Sequence, residues 1–183
     1  MKHTLFALIL IFTLAGCSNS PASKPSTDAT KKGAPELKVL RDAPDFDLED
    51  VLGGRVKSAD LKGKVVIIDF WATYCQPCKK EIPEYVALIE KLNRKDVAII
   101  GVTFESGTAA EVKPYLPEFG VKYPVAMGTD KINEDFGGFI GLPTTFIVGK
   151  DWKVYKRYIG STPSKIGDIE NMITALVDQP GKS

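Results

Sequence analysis

The chain has 183 residues, 44% hydrophobic and 26% charged, enough for one domain with a sizeable core plus an extension. Its 24 Lys and Arg nearly balance 23 Asp and Glu, and the formal net charge of +1 gives no electrostatic case for nucleic acid or for a polybasic membrane patch. Three cysteines (Cys17, Cys75, Cys78) are too few for a disulfide scaffold or a four-cysteine zinc site, and the single histidine, His3, lies in a leader, so a processed chain would offer no histidine triad and no His-ligated metal.

Residues 1–16 read as that leader. Lys2 and His3 precede an apolar run from Leu5 to Leu14 that is short of the roughly 20 residues a membrane span needs. A charged start, a short apolar middle and small residues at the end describe a secretory signal. The end, Leu14-Ala15-Gly16-Cys17 followed by Ser18-Asn19-Ser20, resembles the bacterial lipobox. The resemblance implies lipid on Cys17 as the new N-terminus, and several acyl chains anchor a protein where one holds it only marginally. Residues 17–35 then form a Ser-, Thr-, Pro-, Ala-, Lys- and Gly-rich stretch, too poor in large apolar side chains to offset chain entropy, and are expected to be a disordered tether.

The folded domain is expected over 36–179. Ala43 to Leu48 alternates like a strand, Gly53-Gly54 signals a hairpin, and Arg55 to Lys57 returns as its second strand. Ser58 to Leu61 is a turn or a single helical turn, closed by Gly63. Val65 to Trp71 is a continuous apolar, β-branched run, as expected of a strand buried on both faces. Cys75 to Leu92 carries Ile82, Tyr85, Val86, Leu88, Ile89 and Leu92 at helical spacing, with Pro83 expected to kink it. Val97 to Phe104 is a second buried strand. Thr108 to Phe119 is a helix disturbed by Pro114 and Pro117, Val121 to Met127 a short strand, and Lys131 to Phe136 a short helix. Leu142 to Val148 and Trp152 to Tyr158 form an antiparallel pair, and Ile166 to Val177 a terminal helix. The pattern predicts an α/β fold, a mixed central sheet covered by helices on both faces.

The chemistry sits between the first buried strand and its helix, at Trp71-Ala72-Thr73-Tyr74-Cys75-Gln76-Pro77-Cys78. A helix start places free N–H groups and the positive end of the dipole beside Cys75. That favours thiolate and lowers a cysteine pKa from about 8.5 into the range of roughly 3.5–7.5. A thiolate attacks a disulfide, and a cysteine three residues on can resolve the mixed disulfide. A Cys-x-x-Cys beside a βαβ pattern reads as a thioredoxin-like redox motif. Asp69 stands inside the apolar run, where burial should raise its pKa.

Over residues 40–178 the chain resembles the thioredoxin superfamily, and within it the membrane-tethered thiol–disulfide oxidoreductases of the bacterial envelope, the TlpA and ResA type. The motifs are Ala43-Pro44-Asp45-Phe46, Gly63-Lys64-Val65-Val66, Phe70 to Cys78, and Gly141-Leu142-Pro143-Thr144-Thr145-Phe146, in that order. The resemblance implies a thioredoxin-like fold with an N-terminal β-hairpin extension. It makes Cys75 the exposed nucleophile, Cys78 the resolving cysteine, and Pro143 a cis-proline lying against the disulfide, with Leu142 facing substrate. Asp69 matches the buried acid of thioredoxin, which passes protons to and from the resolving cysteine. Many envelope members carry asparagine there, so this chain departs toward thioredoxin, and an acid satisfied by a structural hydrogen bond is the other reading. Glu105, at the end of the second buried strand, would sit near the cysteines if it is placed as an acid is in ResA-like proteins, yet on its own it reads first as a solvated loop residue. Trp71 and Tyr74 flank the site and suit either packing or partner docking.

The expected function is an envelope thiol–disulfide oxidoreductase that reduces disulfides in exported proteins, apocytochrome c among the candidates. It would take electrons from a membrane donor of the CcdA or DsbD type and need no cofactor and no metal. A disulfide oxidase or isomerase would have the same two cysteines. A peroxiredoxin-type peroxidase shares the Ala-Pro-Asp-Phe opening, but such enzymes set Thr or Ser where Ala72 stands.

Overall fold

The computed structural model describes residues 37–138 and 140–179. The leader, Cys17 and the tether lie outside the described residues. Within them no helix is long and apolar enough to cross a membrane.

The domain opens with β1 (Arg41–Asp42), then a small hairpin of β2 (Asp47–Glu49) and β3 (Arg55–Lys57). The turn between them needs Gly53 at φ +101° and Gly54 at φ +93°, a region that costs a residue with a Cβ. After a single 3-10 turn at Ser58–Asp60 comes β4 (Val65–Trp71), buried at all seven positions. It feeds α1 (Gln76–Leu92), which carries Pro83 inside it, and β5 (Val97–Thr103) is next.

The stretch expected to be one helix over 108–119 is two short ones, α2 (Ala109–Val112) and α3 (Tyr115–Glu118). Proline offers no N–H and clashes with the preceding turn, so Pro114 ends the first helix and starts the second. Next come β6 (Val125–Met127), α4 (Asp130–Asp135), β7 (Thr144–Val148), β8 (Lys153–Ile159) and α5 (Lys165–Val177). The expected strand at 43–48 is confined to β2, and that at 121–127 to β6.

The main sheet runs β1-β8-β7-β4-β5-β6. Strands β4, β5 and β6 are parallel, while β7, β8 and β1 add antiparallel pairs. It is the mixed sheet that the alternation of elements predicts. Because side chains alternate along a strand, β4 feeds two cores. Val66, Ile68 and Phe70 pack with Phe136 and Phe146, beneath Leu48 and Val56 of the hairpin. Val65 and Ile67 pack with Tyr85 and Leu88 of α1 and with Ile169, Ile173 and Leu176 of α5. Full burial of each such side chain is worth about 1.5–3 kcal/mol, so β4 is held from both sides and makes a rigid base for the Cys75–Cys78 segment at its end. The same alternation turns Asp69 toward α1 and α5.

Candidate active site

The end of β4 is pinned before the cysteines begin. Phe104 N–H donates to the Trp71 carbonyl at 2.8 Å, Cys75 N–H to the Ala72 carbonyl at 3.0 Å, and Thr73 N–H to Ser106 Oγ at 3.1 Å. Trp71 is fully buried and lies edge-on to Phe119. Its place depends on Gly101, the β5 partner of Asp69, where an added Cβ would meet Trp71 Nε1 at 2.7 Å. Trp71 is therefore a packing residue here, whereas Tyr74 stands out at 60% exposure.

Cys75 is the N-cap of α1, and its Sγ accepts the Cys78 backbone N–H at 3.3 Å. The two cysteines form a disulfide with Cα atoms 5.3 Å apart. They are not equivalent. Cys75 keeps 8% exposure and lines a groove of about 600 Å³, whereas Cys78 is sealed at 0%. On reduction, a thiolate on Cys75 faces that amide and the positive end of the helix, the environment that favours a reactive sulfur.

The groove gathers Tyr74, Cys75, Pro77, Glu105, Ile140 and Leu142. The Tyr74 hydroxyl donates to Glu105 Oε2 at 3.1 Å. Glu105 sits at φ +48° and is exposed, so it is both beside the cysteines and in solvent, and the two expectations for it coincide. The Leu142–Pro143 peptide is cis, as expected. The Pro143 carbonyl is occupied on its far side by Gly160 N–H at 2.8 Å.

On the face of the sheet that α1 and α5 cover lies a buried polar floor. Asp69 is fully buried, and Thr145 Oγ1 donates to its Oδ1 at 2.8 Å. Thr145 has thereby committed its only proton, so the Tyr85 hydroxyl, 2.9 Å away, donates to Thr145. Lys165 Nζ pairs with Glu81 Oε2 at 2.8 Å and donates to the Gly160 carbonyl at 3.1 Å, with lysine and glutamate both at or below 2% exposure. Among the described residues, Asp69 Oδ2 and Glu81 Oε1 are buried carboxylate oxygens without a hydrogen-bond partner. Burial pushes the Asp69 carboxyl up to about 7. The Lys165 charge and the Thr145 hydrogen bond oppose that rise, and the Glu81 charge adds to it. Burial also raises the Tyr85 and Tyr123 phenols far above their ordinary value, so both remain donors at neutral pH.

Of the residues singled out in the sequence, Cys75 and Cys78 are joined, Leu142, next to the cis Pro143, lines the groove with Cys75, and Asp69 stands on the buried strand that leads into the cysteines. Glu81, Tyr85, Thr145 and Lys165 were not anticipated as a group. The signal was present in part: Cys78, Glu81, Ile82 and Tyr85 recur on one face of α1, so a charged residue stands on a buried stripe.

The model of the AhpC/TSA family matches residues 39–157. The chain belongs to the AhpC/TSA family. Curated relatives include thiol-disulfide oxidoreductase ResA of Bacillus subtilis (strain 168), 39% identical over 147 residues, covering 80% of this chain and 82% of the relative. ResA of Bacillus thuringiensis (strain Al Hakam) is 34% identical and covers 87% and 89%. Among solved structures, a thiol:disulfide interchange protein of the thioredoxin family from Chlorobium tepidum TLS superposes with a TM-score of 0.66 at 30% identity, covering 74% of this chain and 95% of that one. The fold is thioredoxin-like, and this family member is a thiol–disulfide oxidoreductase acting on disulfide-containing substrates. Three residues before Cys75, Ala72 is buried and apolar, and among the described residues no arginine lines the groove. Neither feature favours peroxide chemistry.

Proposed function

We propose that this oxidoreductase reduces disulfides of exported proteins from the outer side of a bacterial membrane, held there by lipid on Cys17. The observation that carries the reading is the asymmetry of the pair: Cys75 stands at the groove and the helix start, while Cys78 is sealed from solvent. In the first step the Cys75 thiolate attacks one sulfur of a substrate disulfide. A Cys75–substrate bond forms, the substrate S–S bond breaks, and the leaving thiolate takes a proton from solvent. In the second step Cys78 gives its proton to the Asp69 carboxylate and attacks Cys75 Sγ. The enzyme disulfide forms, the mixed disulfide breaks, and the second substrate sulfur leaves as thiolate. The substrate gains two electrons and the Cys75/Cys78 dithiol loses two. An acid near pH 7 suits both giving and taking that proton. Leu142 and the cis Pro143 would seat an extended substrate segment against the disulfide.

The dithiol is restored by a membrane donor of the CcdA or DsbD type, and apocytochrome c is one substrate of suitable kind, since its haem-binding cysteines must be reduced. Direction is set by redox poise. A reduction potential well below that of glutathione is expected, and an oxidising value overturns the reductase reading in favour of an oxidase or isomerase. A Cys78→Ala variant should accumulate mixed disulfides on Cys75 with exported proteins, apocytochrome c among them. Failure to trap any partner, with Cys75 still alkylatable, counts against the enzyme acting on protein disulfides. Rapid consumption of hydrogen peroxide would favour a peroxidase instead.

A further inference from the structure

Three ionisable side chains are sealed in the polar floor: Asp69 from β4, Glu81 from α1, one turn on from Cys78, and Lys165 from α5. Two acids and one base cannot all be charged there without leaving a net negative charge in a low-dielectric core. One proton therefore belongs to the pair of acids, and something must decide which acid holds it. Lys165 is committed to one of them. Its ammonium pairs with Glu81 Oε2 at 2.8 Å and is fixed from behind by the Gly160 carbonyl at 3.1 Å. Asp69 has only the Thr145 hydroxyl, at 2.8 Å, and an unpartnered Oδ2.

The geometry points to Lys165 as a positioning residue for the redox reaction: its ammonium is held on Glu81 and the Gly160 carbonyl, which leaves Asp69, with one oxygen unpartnered, as the acid that exchanges the proton. This rests on the reading above that Asp69 trades a proton with Cys78. The groups that face Asp69 are Glu81 and Tyr85 from α1, Lys165 from α5, Thr145 from β7 and Tyr123 ahead of β6. Both tyrosines stay neutral over the working range, so Glu81 and Lys165 are the charges that matter. The two act with opposite sign: the lysine pulls the Asp69 titration down and the glutamate pushes it up. Without Lys165, both acids would face the core with no cation. Asp69 would then hold its proton above neutral pH and could no longer accept one from Cys78.

The test uses the oxidised protein, in which Cys75 and Cys78 are joined and neither thiol titrates. The Asp69 carboxyl is followed by carbon-13 NMR from pH 5 to pH 9. The unmodified protein should titrate near 7. Lys165→Met should move the midpoint up by about one unit or more, Lys165→Arg should leave it near the original value, and Glu81→Gln should move it down. The pH profile of the mixed-disulfide release step should shift in the same directions. An unmoved midpoint in Lys165→Met overturns the assignment, as does an Arg variant that behaves like the Met one. If Lys165→Met does not fold, Glu81→Gln decides, and a midpoint that fails to fall overturns the proposal. Absence of any Asp69 titration in the unmodified protein would sink the proton-transfer role itself, an outcome distinct from a titration that ignores Lys165.

Discussion

The groove at Cys75 and the buried polar floor are built on opposite rules. On the groove side, Tyr74 and Glu105 share one hydrogen bond in contact with water, and Ile140 and Leu142 present apolar surface. On the floor side, Asp69, Glu81, Tyr85, Thr145 and Lys165 are shut away from solvent and tied to one another. Water screens charge on the first side, so contacts there can set which partner docks but have little leverage on proton affinity. The second side has the reverse character: few contacts, each with strong electrostatic leverage. The two cysteines differ in the same way, Cys75 lining the groove and Cys78 fully buried.

The sharpest way to break this comparison is to remove each sulfur in turn. Cys75→Ser should abolish disulfide exchange, bringing the rate down to that without enzyme in a reduction assay. Cys78→Ala should leave the first attack intact and stop release. A Cys78→Ala variant that forms no mixed disulfide, or a Cys75→Ser variant that does, would erase the asymmetry.

Next in size is the pH dependence that Asp69 imposes on stability. Its carboxyl titrates near 3.8 when free and near 7 in the fold, so between those values the folded state binds the extra proton. Stability from this group is therefore present at pH 4, falls as pH rises and is fully lost above about 7. Three units correspond to about 4 kcal/mol at most. Asp69→Asn should thus be more resistant to urea than the original protein at pH 8, and the gap should close toward pH 4. It should also release the mixed disulfide more slowly. A constant gap across pH would show that Asp69 does not carry a raised titration.

The smallest effects belong to the groove. Tyr74→Phe and Glu105→Gln should each change stability by no more than about 0.5 kcal/mol, since the bond they share is exposed. They should act on KM for protein substrates and leave the release step and its pH profile unchanged. A shift of that profile would mean the two sides communicate.

Much of this molecule was readable before its structure. β4 announces itself as an unbroken apolar run, α1 by its spacing, and the cysteines by their place between the two. What escaped was set by partners distant in the chain. β1 is only Arg41 and Asp42, two charged residues that become a strand because β8 offers them an edge. Pro114 was visible, but whether it bends a helix or divides it depends on what packs around it. The Glu81–Lys165 pair joins residues 84 positions apart. Each stands on an otherwise apolar stripe, Glu81 on α1 and Lys165 ahead of Ile169, Met172 and Ile173 on α5. A lone charge on such a stripe is ambiguous. Two of opposite sign on helices packed against the same sheet face form a hint that could have been taken.

The order of these segments along the chain has a consequence for biosynthesis. Both sulfurs and both acids are laid down well before the final helix, so any fragment ending ahead of Lys165 carries the reactive pair without its counter-charge. A chain still being made would hold an unfinished redox centre. Full competence would arrive only with the last few turns of polypeptide, after the rest of the domain has been made.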